Sequence, residues 1–348
     1  MKQSFPSTAA LLSLVLLGGC HGLHSGNNVP GAPKSPPPFP KEKNVPVNQA
    51  LLRSAMNEVA EALNSPDEIL RAHALETLKN VRLPDTDRRV LLALSDPSPL
   101  VRKAAAFAAG ELHIAAAADR LTPLVNAPVQ PDSQDQIYVE QVRIAAIFAL
   151  FRLGDATYAH ELEQTALDPR PPVRADTAFV LGMLGQPSAK PGALAILSEM
   201  LRHDSDGNVR LQAAEAMWKL GDEKGEDALI AATVSNYASD QAVALLALAE
   251  PHDQRVLGNI EGFLATDYPE VSLVAARAAG MLGSQDGYGV AMNGADSKDP
   301  RQRALAALAF GAIGRRDAQP ILDDLVSDSN PDVRLAAADA IGQIDKSK

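Results

Sequence analysis

Apolar and polar positions along this chain follow a short period nested inside a long one. With Arg334 set as zero, positions −1, +3, +6, +7 and +10 hold Val333, Ala337, Ala340, Ile341 and Ile344. On a helix of 3.6 residues per turn these form one apolar stripe. The same register recurs with zero at Arg71, Arg102, Arg143, Arg174, Arg210, Gln241, Ser272 and Arg303. The steps between zeros are 31, 41, 31 and 36 residues, then 31 four times. A period of 31 broken by two insertions predicts nine copies of one stacked unit.

Each copy is punctuated for a helix. Position −4 holds Asp67, Ser98, Asp206, Asp299 and Asn330, whose oxygens accept bonds from the free N–H groups of a helix start. Position −3 holds Pro99, Pro171, Pro269, Pro300 and Pro331, where a missing N–H costs nothing. Position +11 holds Gly154, Gly185, Gly221, Gly283 and Gly314, suited to a left-handed helix end. A second amphipathic segment precedes each such helix, as in 48–63, 190–202 and 317–326. Every copy is therefore expected to be an antiparallel helix pair, with residues 48 to 112 forming the first two. Only 4% of residues are aromatic, so the core rests on small side chains in close contact.

The string Asp-Pro-x-x-Val-Arg, then alanines, then Leu-Gly resembles HEAT-type repeats, particularly the short HEAT-like repeats of phycobilisome lyases. The likeness covers residues 48–345 and implies an all-α fold: an α-solenoid of about nine HEAT-like helix pairs in a right-stacked superhelix. It also implies that the arginine at zero bonds to acidic turn residues of neighbouring copies. On that ground Arg71, Arg102, Arg143, Arg174, Arg210, Arg303 and Arg334 are construction rather than chemistry. Copies six and seven carry Gln241 and Ser272 instead, so a softer joint is expected between about residues 235 and 275. The fold hosts scaffolds, adaptors and a few lyases, so it does not settle function.

The formal charge is −11, and no run rich in Lys and Arg relieves it. That argues against nucleic acid as a partner, since phosphates demand cationic neutralisation. The lone cysteine excludes an internal disulfide. Residues 1–19 read as an export signal, with Lys2 ahead of an apolar core, Ala9 to Leu17, too short to cross a bilayer. Leu17-Gly18-Gly19-Cys20 resembles the bacterial lipobox, which implies lipidation of Cys20 and an anchor in the cell envelope. The segment 20–47 holds seven prolines and no apolar period, and reads as a tether.

Readable chemistry is sparse. His160-Glu161 lacks the second histidine of a zinc-protease motif. Asp204, Asp206, Asn208 and Glu215 sit at calcium-loop offsets, but Val209 stands where glycine is needed. Neither a cofactor nor a metal is expected. The remaining candidate is a row at +5, Phe107, Phe148 and Phe179, flanked by Ile144 at +1 and Phe151 at +8. Helical angles put +1, +5 and +8 opposite the alanine stripe, where an exposed row would grip a protein partner; Leu246 and Leu308 at +5 elsewhere leave open that tight curvature buries this position instead. The expected function is a non-catalytic envelope scaffold or adaptor. The alternative is a ligand-handling or lyase-like enzyme with a concave apolar pocket.

Overall fold

The computed structural model describes residues 46–128, 136–185 and 190–347. Cys20 and nearly all of the proline-rich segment lie outside them, as do most of the ten-residue insertion and of the five-residue one. The described residues form eighteen α-helices and no strand. Nine precede a register helix in the chain: α1 (Gln49–Ala62), α3 (Thr86–Ala93), α5 (Ala118–Val125), α7 (Glu161–Thr165), α9 (Lys190–His203), α11 (Glu223–Ala232), α13 (Leu257–Glu261), α15 (Tyr288–Ala295) and α17 (Gln319–Leu325). The second helices are α2 (Glu68–Thr77), α4 (Pro99–Glu111), α6 (Gln136–Arg152), α8 (Pro171–Leu184), α10 (Gly207–Lys219), α12 (Ala238–Ala249), α14 (Pro269–Met281), α16 (Pro300–Ile313) and α18 (Pro331–Lys346). The molecule is an all-α solenoid of helix pairs.

Local chemistry sets these boundaries. Eight second helices begin three residues before the register zero; α6, which follows the longer insertion, begins earlier. Asp67, Asp206, Asp299 and Asn330 each accept a bond from an N–H of the first turn, at 2.8–2.9 Å. The five glycines at +11 all take positive φ. His113 and His252, which occupy +11 in two other copies, are held in the same left-handed conformation, with φ of 53° and 58°. In those two copies the turn geometry is kept without the glycine.

The chain divides into two compact units. One is Ser65–Leu229; the other joins the described residues up to Asn64 to the segment from Ile230 onward. Within the first, α2, α4, α6, α8 and α10 pack successively side by side. Within the second, α12, α14, α16 and α18 do the same, and α1 packs along α18. The stripe Leu51, Ala55, Val59 and Ala62 of α1 is buried. Asn48 N–H donates to Gln319 Oε1 at 2.7 Å, and Gln319 Nε2 donates to Pro46 O at 3.2 Å. The first amphipathic segment, expected as half of copy one, is therefore a cover on copy nine. A terminal repeat with an uncovered apolar face is a recurrent problem of solenoids.

The core sits at position +3. Ala74, Ala105, Ala146, Thr177, Ala213, Ala244, Ala275, Ala306 and Ala337 are all fully buried. Position +8 is where successive second helices approach one another most closely. A Cβ on Gly182 would lie 2.7 Å from Ala216 Cα, on Gly280 2.7 Å from Ile313 N, and on Gly311 2.8 Å from Ala340 Cα. Only glycine lets successive second helices come this near.

Candidate partner-binding face

The phenylalanine row is inside the protein. Ile144 and Phe148 are fully buried, Phe179 is buried, and Phe107 and Phe151 are half-buried. Of the two readings left open, an exposed row or a core position, the structure shows the core, and the reason is the curvature of the first unit. The Phe107 ring meets Phe148 at 5.3 Å and also Phe179 at 5.5 Å, edge to face, so α4 and α8 touch across α6. Lys103 on α4 likewise pairs with Asp176 on α8 at 2.5 Å. Lys219 Nζ stands 5.2 Å above the Phe179 ring and 2.6 Å from Glu215. Position +8, assigned with +5 to the open side, instead faces the next second helix through its glycines. With three neighbours apiece these helices are buried on nearly every side; in α14 every residue from Val271 to Gly280 is buried.

Buried polar groups at +5 have structural work. Glu215, fully buried, accepts from Gln212 Nε2 and Lys219 Nζ. Asp339 accepts from Gln343 Nε2 at 2.6 Å. Burial pulls the Arg277 guanidinium below its ordinary pKa, opposed by the Asp339 and Glu250 carboxylates. His73 is buried with no partner at Nδ1 among the described residues, and desolvation lowers its pKa to about 4.

The register arginines form a ladder. Arg71, Arg102, Arg174, Arg210, Arg303 and Arg334 each donate from Nη1 to the carbonyl six residues earlier. Arg71, Arg174 and Arg303 also reach the turn aspartate of the next copy, Asp96, Asp204 and Asp328, through two bonds of 2.6–3.1 Å. These arginines hold the Asp204 and Asp328 carboxyls below the usual range. Arg143 pairs with Glu140 and donates to Ala127 O. Arg334 Nε donates instead to Glu58 of α1 at 3.0 Å. Gln241 keeps half of the device by donating to Ser235 O; Ser272 donates to Leu264 O.

This register is what a family signature should contain, and the HEAT-repeat model matches residues 56–137, 139–218 and 289–348. The chain belongs to the HEAT-repeat family. Over 63 residues this HEAT-repeat protein is 36% identical to the AP-3 complex subunit beta of Dictyostelium discoideum, a stretch covering 17% of the chain but only 6% of that relative. Among solved structures it is similar to the CpcE–CpcF complex of phycocyanin lyase from Nostoc sp. (23% identity, TM-score 0.43, 75% of this chain and 98% of that one). It is also similar to human deoxyhypusine hydroxylase in complex with glycerol (21% identity, TM-score 0.38, 76% and 97%).

The surface that sequence reasoning passed over is the edge where second helices begin. Eight large apolar side chains are exposed among the described residues, and six stand within seven residues before a register zero: Ile69, Tyr138, Leu167, Val234, Tyr237 and Tyr268. Tyr237 and Tyr268 hold the cap position in copies six and seven, and neither makes a capping bond. The signal was in the sequence, as two tyrosines at a position where five other copies carry Asp, Asn or Ser.

Proposed function

We propose that this HEAT-repeat protein is a non-catalytic scaffold or adaptor, held at the bacterial cell envelope by a lipid on Cys20. The observation that carries the reading is the division of labour on the second helices. Their inward side chains, phenylalanines and carboxylates included, are engaged with one another, while exposed apolar side chains gather at the helix-start edge. Within each unit this edge offers apolar contacts to a protein partner: Ile69, Tyr138 and Leu167 in the first, Val234, Tyr237 and Tyr268 in the second. The leader, the lipobox-like Leu17-Gly18-Gly19-Cys20 and the proline-rich tether support the envelope address.

Site-specific photo-crosslinking in intact cells tests the adaptor role. Crosslinkers at the edge positions 167 and 237 are expected to trap a discrete partner, whereas one at 105, inside the core, is not. Absence of adducts from every edge position overturns the role. Separately, Cys20→Ser is expected to move the protein from the membrane to the soluble fraction; retention on membranes overturns the anchor.

A further inference from the structure

Resting on the adaptor reading, we infer that the edge of copies six and seven is a docking site for an extended basic segment of a partner protein. Tyr237 is 70% exposed and Tyr268 41%, with Val234 beside them at 75%. The tyrosines occupy one register position in successive copies, which sets them about 10 Å apart, the spacing of packed helices. Both displace a residue type that stabilises a helix start, so each copy gives up a capping bond that Asp206, Asp299 and Asn330 make elsewhere. The same two copies lack the register arginine. A structural role for the edge does not account for losing caps and arginines together while exposing two rings.

Charge complementarity names the occupant. Residues 234–272 contain six carboxylates and one basic side chain, Arg255, which is engaged by Asp253. Asp240 and Asp267 lie within three residues of the two rings in sequence; Asp240 accepts from the Ser235 and Ser239 hydroxyls, and neither carboxylate forms an ion pair with a described residue. Glu270 shares its charge with Arg301 at 3.4 Å. Exposed aromatic faces in a negative field suit guanidinium or ammonium groups stacked over the rings. An extended polyproline-type strand advances about 9 Å in three residues, so basic side chains three apart meet rings one copy apart. The site fits a segment with Arg or Lys at i and i+3.

The test is fluorescence anisotropy of a labelled (Arg-Pro-Pro)4 peptide on the full chain, with (Glu-Pro-Pro)4 as counterpart. The basic peptide is expected to bind and the acidic one to fail. Tyr237→Ser with Tyr268→Ser restores hydroxyl caps while removing the rings; it is expected to raise the thermal midpoint yet weaken binding at least tenfold. Asp240→Asn with Asp267→Asn is expected to weaken binding several-fold and flatten its salt dependence. Equal binding of the two peptides, or unchanged binding by the serine variant, overturns the inference. So does a dimer of the parent chain that dissociates in the serine variant, since the occupant is then a second copy. If the peptide fails while edge crosslinks still trap a partner, this inference falls and the adaptor reading stands.

Discussion

Replacing Gly280 by alanine sets two known effects against each other. In an open helix interior, glycine to alanine is favourable by about 0.8–1.0 kcal/mol. At Gly280 the new Cβ lies 2.7 Å from Ile313 N and 2.9 Å from Ala312 C, both backbone atoms of α16. Ordinary contact begins at 3.4 Å, so α14 and α16 must separate by about 0.7 Å. Overpacking of this kind costs about 1–3 kcal/mol. Gly258 in α13 is the internal control, since it is exposed and a Cβ there meets nothing within 4 Å. The two variants should therefore differ by about 1–3 kcal/mol, with Gly258→Ala the more stable. Hydrogen exchange of peptides from α14 and α16 measures this in the unit concerned, a tenfold rate change corresponding to about 1.4 kcal/mol. Equal protection in the two variants would refute the claim that glycine at +8 sets helix separation.

Three further outcomes are expected. His73 has a folded pKa near 4 against 6.5 for the free side chain, so the unfolded chain binds its proton first as pH falls. Its contribution is intact above pH 6.5 and declines toward pH 4, by about 2 kcal/mol at pH 5; urea midpoints at pH 7 and pH 5 should draw together in His73→Gln. The depressed carboxyls of Asp204 and Asp328 add to acid sensitivity only below the ordinary carboxylate range. His113, left-handed at φ 53° and exposed, should yield about 1 kcal/mol of added stability when changed to glycine, and an unchanged thermal midpoint would count against strain there. Amides of α12 and α14, whose register residues stop at their own turns, should exchange faster than those of α16, where Arg303 bridges to Asp328; equal protection would remove the softer joint.

Features fixed by near neighbours in sequence were readable before any coordinates. Helix starts follow from cap and proline, helix ends from glycine at +11, and the buried stripe from alanine at +3; each depends on residues within a turn or two. Whether +5 and +8 face a partner or the core stayed open in the sequence because a second helix has three neighbours, so one helical wheel cannot tell an inner face from an open one. Phe148 and Gly280 obey the same period, and only the packing of successive copies shows that both are enclosed. The pairing of α1 with α18 was illegible for a different reason: Asn48 and Gln319 are 271 residues apart, and no periodicity encodes so distant a contact. The Tyr237 and Tyr268 edge was legible as a broken cap, but its exposure needed coordinates.

The cover of α18 by α1 has a mechanical consequence. Gln319 holds Pro46 and Asn48, while Arg316 in the same short turn donates to Ser347 O at 2.8 Å. The two described ends of the chain are therefore fastened to one point. A pull between residue 46 and residue 347 is borne first in shear by the contacts of α1 on α18, and the repeats carry no tension until α1 peels away. A solenoid gripped at its opposite ends behaves as a spring; gripped here, it loads one pair of helices first, and α1 acts as a release catch.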